Sequence, residues 1–93
     1  MSKVILEGYV IASDSELSAV KNELANHIQL TRQEEGCLVF EVTQDHKNAN
    51  RFNVYEEFVS QEAFNVHQLR LSNTEWGKVS SRLEKHYKTN GIN

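Results

Sequence analysis

Proline is absent from the 93 residues, and cysteine occurs once, at Cys37. A single cysteine excludes an internal disulfide framework and leaves no zinc-ligand cluster. No low-complexity tract, repeat or linker divides the chain, so residues 1–93 read as one domain. There is no basic run and the net charge is -3, so an electrostatic footprint for nucleic acid is missing. The longest apolar runs are far too short to span a bilayer. The start, Met1-Ser2-Lys3-Val4-Ile5-Leu6-Glu7, lacks the long apolar segment of a signal peptide. We therefore expect a cytoplasmic protein whose partners include neither nucleic acid nor membrane. Phosphate-binding glycine loops, dinucleotide fingerprints and metal-ligand motifs are also missing. The four histidines are scattered, with none at i, i+4 from another. We expect no metal and no cofactor.

What is present is ordinary in bulk and specific in pattern. Apolar residues make up 39% and charged residues 25%, as in a typical globular domain. A chain this short buries roughly two-thirds of its unfolded surface, and a core shared between subunits would enlarge that. Val4 to Ala12 alternates as a strand, with Val4, Leu6, Gly8 and Val10 opposing Ile5, Glu7, Tyr9 and Ile11. Ser13 or Asp14 suits a helix cap, and Leu17, Val20, Leu24, Ile28 and Thr31 share a helical face. Gly36 fits the end of that helix or the turn after it. Leu38, Phe40 and Val42 then oppose Cys37, Val39, Glu41 and Thr43. After the polar segment Asp45 to Asn50, Phe52, Val54, Glu56 and Phe58 oppose Asn53, Tyr55, Glu57 and Val59. The two strands read as an antiparallel hairpin.

Ser60 suits the N-cap of a helix through about Arg70. Ser72-Asn73-Thr74-Glu75 has capping-box spacing, and Trp76, Val79, Leu83 and Tyr87 carry a helical period beyond it. This order predicts an α+β two-layer domain, an antiparallel sheet with helices on one face. The other sheet face has no helices left to cover it, and a second copy of the sheet is the obvious cover.

His67 is the sharpest candidate for chemistry. It lies near the centre of a helix face made by Ala63, Phe64, Val66 and Leu71, with Arg70 one turn further on. Such groups are costly to bury without a partner or a purpose. One reading is a core-edge histidine satisfied by a carbonyl, with Arg70 reaching solvent along its apolar stem. The other is a titratable group facing a pocket between helix and sheet, a role that its ordinary pKa suits. Glu41 and Glu56 interrupt apolar strand faces; they are either exposed or interface carboxylates, each hydrogen-bonded or salt-bridged, or pocket groups that act as a base or orient a histidine; Glu7 is similar. His27 flanks the first helix's apolar face. Cys37 reads as a small buried hydrophobe. Trp76 and Tyr55 pack, or line an apolar pocket. His46 and His86 read as surface.

The run Asn26-His27-Ile28-Gln29-Leu30-Thr31-Arg32-Gln33-Glu34-Glu35-Gly36-Cys37-Leu38-Val39-Phe40-Glu41-Val42 resembles the central signature of the antibiotic biosynthesis monooxygenase domain. Tyr55-Glu56-Glu57-Phe58 and Ala63-Phe64-Asn65-Val66-His67 continue it with the expected spacing. Ser72 to Tyr87, with Trp76-Gly77 and His86-Tyr87, is similar to a short C-terminal version. The resemblance covers nearly the whole chain. It implies a ferredoxin-like fold, two of which join by their sheets as a homodimeric α+β barrel, with a ligand pocket between sheet and helices. It implies a monooxygenase that oxidises a small quinol or phenol with molecular oxygen and without metal or flavin. In that setting His67 is the proton acceptor and Arg70 the anion stabiliser. Phe40, Tyr55 and Trp76 are pocket walls, and Glu41, Glu56 and His27 contact the aromatic or quinone-like ligand. The family also holds isomerases of small molecules and members without known activity, so a non-catalytic dimeric binding protein and an isomerase are the alternatives. Haem-degrading members carry an asparagine on the first strand and a tryptophan before a histidine ligand. Here that asparagine is missing and Trp76 follows His67. The resemblance favours a strand around His86 within Leu83 to Ile92, against the helical period.

Overall fold

A computed structural model describes residues 3–90 of the protein. The elements are β1 (Val4–Ile11), α1 (Leu17–Arg32), β2 (Cys37–Gln44), β3 (Arg51–Phe58), α2 (Gln61–Leu71), α3 (Glu75–Ser80) and β4 (Glu84–Asn90). The four strands form one antiparallel sheet in the order β2-β3-β1-β4. This is the expected ferredoxin-like α+β arrangement.

Strand alternation decides which side chains enter the core. Val4, Leu6 and Val10 of β1 and Phe52, Val54, Glu56 and Phe58 of β3 are buried on the helix side. Alternation breaks once. Cys37 pairs with Phe58 and Val39 with Glu57, so Leu38 is an extra residue in β2. This bulge turns Cys37 toward the core beside Phe58 and leaves Leu38 exposed, opposite to the faces that strict alternation predicts. Phe40 lies beyond the bulge, is buried, and pairs with Glu56.

Helix ends follow local chemistry, with two departures from expectation. Ser60 caps α2, its hydroxyl accepting from the Ala63 amide at 3.1 Å. The first departure is at α1, where neither Ser13 nor Asp14 caps the helix; the Ser13 hydroxyl donates to the Glu16 carboxylate instead. The second is at α3, whose cap is Thr74 rather than Ser72; Thr74 accepts from the Gly77 amide at 3.1 Å, and Ser72 closes α2. The helix stops at Ser80, and β4 pairs with β1 from Glu84 to Asn90. Backbone pairing with β1 outweighs the helical period of Leu83 and Tyr87. The strand expected around His86 is therefore present; the end of that expectation, at Ile92, lies outside the described residues.

The core divides in two. Val10, Ala12, Val20, Leu24, Phe52 and Leu83 form one cluster under α1 and α3. Val4, Leu6, Val54, Phe58 and Phe64 form the other under α2. Val66, expected on the buried face of α2, is 61% exposed, so that face is narrower than its period suggests. The opposite sheet face is mixed. Tyr9 stacks on His86 at 4.6 Å and lies under the Arg51 guanidinium, while Glu7, Tyr55 and Glu41 sit side by side across three strands.

Gly36 lets α2 approach the turn after α1, since a Cβ there would fall 2.3 Å from the Ala63 Cβ. Gly36→Ala should therefore destabilise the domain by about 1–3 kcal/mol through overpacking. Ala63→Gly in the same chain should recover part of that loss, as read from urea midpoints.

Candidate active site

Between the two core clusters lies a cavity of about 390 Å³. Its walls come from every layer: Phe40 of β2, Val54 and Glu56 of β3, His27 of α1, Trp76 of α3 and Tyr87 of β4. Tyr87 joins them because it pairs with Gly8, which is in phase with the helix-side residues Leu6 and Val10 of β1. The lining is mainly apolar and aromatic, with few ionisable groups, which is the usual build of a small-molecule pocket.

Glu56 is the unusual member. Leu6 and Phe40 flank it across the sheet, and it is 7% exposed. Burial, reinforced by the nearby Glu34 carboxylate, pushes its pKa up to about 8. Near neutral pH Glu56 therefore carries its proton. Its Oε1 has no hydrogen-bond partner among the described residues.

His67 stands behind it, fully buried and facing Phe58 at 4.9 Å between ring centres. Its Nδ1 lies 3.1 and 3.2 Å from the two oxygens of Glu34. Its Nε2 has no partner and is 3.9 Å from Glu56 Oε1, beyond hydrogen-bond length. Burial lowers the His67 pKa; Glu34 opposes that shift and Arg70 adds to it. Glu34 is fixed in turn by Arg70, whose Nε donates to it while Nη2 donates to Thr31 Oγ1 at 2.9 Å.

His27 completes the floor. It stacks on Trp76 at 5.1 Å and 16° and meets Phe40 edge-on. Burial, then the neighbouring His67 and Arg70, depress its pKa to about 3, so it stays neutral. Its Nδ1 is also without a partner among the described residues. Two residues of the cavity wall, Glu56 and His27, thus carry buried unpaired polar atoms, and His67 Nε2 behind them is a third, an unusual concentration for a buried region.

The structure brings together His67, Glu56, Phe40, Trp76 and His27 from the sequence candidates. His67 does not itself line the cavity; Glu56 stands at the wall in its place. Arg70 lies in an adjoining cleft of about 150 Å³ with His27 and Trp76 rather than in the main cavity. Tyr55 and Glu41 belong to the opposite sheet face, because Tyr55 pairs between Glu7 and Glu41, one residue out of phase with Glu56. The Tyr55 hydroxyl donates to Glu57 there. Their expected place in this pocket is corrected by that strand parity. Glu34 and Tyr87 were not among the candidates. Glu34 sits in a polar run that reads as solvated turn, and Tyr87 follows a helical period that the fold overrides. Among the described residues no group of three or more His, Cys, Asp or Glu side chains is placed to hold a metal ion. No helix is long and apolar enough to cross a membrane.

The family model for antibiotic biosynthesis monooxygenase matches residues 4–70. No curated protein matches the chain. Among solved structures, a conserved protein of unknown function from Bacteroides thetaiotaomicron is similar with a TM-score of 0.77 at 14% identity, covering 98% of each chain. A Pseudomonas aeruginosa protein is similar at 0.72 and 24% identity, over 97% of this chain and 91% of its own. A Deinococcus radiodurans protein, named as a putative antibiotic biosynthesis monooxygenase, scores 0.74 at 22% identity, over 97% and 92%. At these identities the structural likeness speaks for the fold.

The two strongest pKa shifts set opposite pH slopes. Glu56 ordinarily ionises at 4.5 and in the fold at about 8, so the folded state holds an extra proton between those values and stability falls as pH rises there. His27 ordinarily titrates at 6.5 and in the fold at about 3, so stability rises with pH between those values. Stability should therefore be level from about pH 4.5 to 6.5, where the slopes cancel, and fall on either side. The alkaline loss by pH 8 should be about 2 kcal/mol, and Glu56→Gln should remove it in urea titrations.

Proposed function

Because this chain belongs to the antibiotic biosynthesis monooxygenase family, we propose that it oxidises a small quinol or phenol with molecular oxygen in the helix-side cavity, using neither metal nor flavin. The observation that carries this reading is Glu56: one buried carboxyl in the wall of a mainly apolar, aromatic cavity. A flat aromatic ring suits the walls of Phe40, Trp76 and Tyr87. Its hydroxyl finds an acceptor in Glu56.

The chemistry needs the anion of the substrate. A quinolate is electron-rich enough to pass an electron to oxygen directly. In the balanced reaction, quinol and O₂ give hydroxyquinone and water. One oxygen atom bonds to a ring carbon and stays there, that carbon's C–H bond breaks with the hydrogen leaving as a proton, the other oxygen leaves as water, and the quinol supplies every electron. The protein's part is to remove the proton, exclude water and stabilise charge. Glu56 is the base, and its raised pKa lies closer to that of a phenol than an ordinary carboxyl's does, which eases the transfer. His67 stands behind Glu56 as the expected acceptor one step removed. Neutral His27 lines the same space. Arg70 contributes by holding Glu34.

The same reading includes a homodimer in the cytoplasm. A second copy would cover the outer sheet face, where Ile5, Tyr9, Ile11 and Val39 lie among charged residues. Tyr55 and Glu41 would then sit at the subunit contact.

Oxygen uptake with a panel of quinols, without added metal or flavin, tests the reaction. Wild-type protein should accelerate uptake, with kcat/KM rising toward pH 8 as Glu56 ionises. Glu56→Gln should lower the rate about 100-fold or more while the fold is kept. Tight binding of a quinol without oxygen uptake would leave a binding protein in place of an enzyme. For the assembly, sedimentation at micromolar concentration should give a dimer, its interface burying at least about 1,000 Å²; a monomer rules it out.

A further inference from the structure

We propose that Glu56 and His67, aligned by Glu34, form a two-site proton store, which takes both protons that a bound quinol loses and returns them to the oxygen leaving as water. The proposal rests on the quinol-oxidation reading for its substrate. It adds Glu34 as a positioning residue.

The balanced reaction creates the need. A quinol gives up two hydroxyl protons and one ring hydrogen on becoming a hydroxyquinone; the ring hydrogen ends on the new hydroxyl, and the water formed takes up two protons. The cavity is mainly apolar, so a proton leaving the ligand is taken first by the ionisable side chains at its wall. One basic side chain holds one proton. Two are required, in contact with each other and with the ligand.

The geometry supplies two. Both oxygens of Glu34 face His67 Nδ1, at 3.1 and 3.2 Å. An ionised carboxylate only accepts, so Nδ1 carries the ring hydrogen and the lone pair is on Nε2. That lone pair faces Glu56 Oε1 at 3.9 Å, and neither atom has another partner among the described residues. A movement of about 1 Å closes the gap to hydrogen-bond length, the usual adjustment when a site without ligand receives one. Once Glu56 is ionised, above about pH 8, the first ligand proton passes to its carboxylate. As the second leaves, Glu56 hands its proton to Nε2 and accepts the new one. The imidazolium then lies against Glu34, which stabilises it. Return runs in reverse, from Glu56 to the reduced oxygen and from Nε2 to Glu56.

The surrounding charges fit this role. Glu34 favours the imidazolium, Arg70 opposes it, and His27 stays neutral 5.8 Å away between ring centres. Glu56 meets Glu34 and His67, with the Tyr87 hydroxyl as a further neighbour whose own pKa burial and Glu56 push up to about 12. Tyr87 therefore remains protonated and does not compete for the stored protons. Arg70 and Thr31 hold Glu34 in place from the far side.

Two measurements on the full chain test the store. In ¹⁵N-labelled protein without ligand, His67 should show a protonated Nδ1 and a bare Nε2 at pH 7.5; the reverse tautomer overturns the proposal. In the second, 1,4-dihydroxynaphthalene is bound without oxygen at pH 8.5, in weak buffer with a pH indicator. Quinolate absorbance should appear with no proton reaching the indicator. Release of one proton per site, or no quinolate at all, overturns the store. Glu34→Gln should cut the bound quinolate about tenfold. With oxygen present it should lower kcat about 100-fold with KM within about twofold, and Glu34→Asp should recover part of both. An unchanged quinolate fraction and pH profile in Glu34→Gln removes Glu34 from the role. Failure of oxygen uptake in the wild type counts against the oxidation reading alone, because the tautomer and indicator measurements need no oxygen.

Discussion

The burial of one carboxyl under one helix organises this domain. Strand β3 must alternate Phe52, Val54 and Phe58 into the core, and the same alternation carries Glu56 with them. A carboxylate between Leu6 and Phe40, without water, is costly as an anion. Holding its proton to about pH 8 avoids that cost. His67 follows from the same constraint. It lies where α2 crosses the sheet, against Phe58, and among the described residues its hydrogen-bonded support is Glu34 from the turn after α1. That turn reaches α2 because Gly36 has no side chain to collide with Ala63. A buried acid, a buried imidazole and a backbone approach are thus one connected arrangement.

The division of the core into two clusters gives the arrangement its use. A continuous core would fill the space between Leu6, Val54 and Val10; here that space is a cavity with Trp76 and Tyr87 across it. The aromatic walls bind by area and shape, while Glu56 and His27 supply direction. Neutral protonation states at the floor keep the empty cavity tolerable. They also leave the site ready to exchange protons with a ligand, and it is this combination, rather than the fold, that speaks to function.

Much of the fold was legible from residue order. Period-two alternation located β1, β2 and β3, the polar run Asp45 to Asn50 located the hairpin loop, and Ser60 marked the start of α2. Resemblance rather than periodicity located β4. Leu38 was misplaced because a bulge leaves no mark in an alternating run. The α3 cap was misplaced because Ser72 and Thr74 are chemically equivalent caps, and only the path of the chain from α2 chooses between them. The candidate site was half legible. An imidazole on an apolar helix face and a carboxyl on an apolar strand face are visible as exceptions to pattern. Glu34 is no exception to any pattern, since a glutamate in a polar turn is ordinary.

The sequence by itself determined β1, β2, β3 and α2 and marked His67 and Glu56 as exceptions on apolar faces, because alternation and helical period act over neighbours a few residues apart and are written in them. Tertiary structure alone decided that these two face each other and that Glu34 orients one of them. It also decided that Tyr87 enters the cavity, while Tyr55 and Glu41 stay on the opposite face. Those outcomes depend on register: a shift of one residue between paired strands moves a side chain to the other side of the sheet. Register is set by the whole set of pairings and by helix docking, which join residues far apart in the chain, such as Val4 with Phe58, Ile5 with Asn90 and Glu34 with His67.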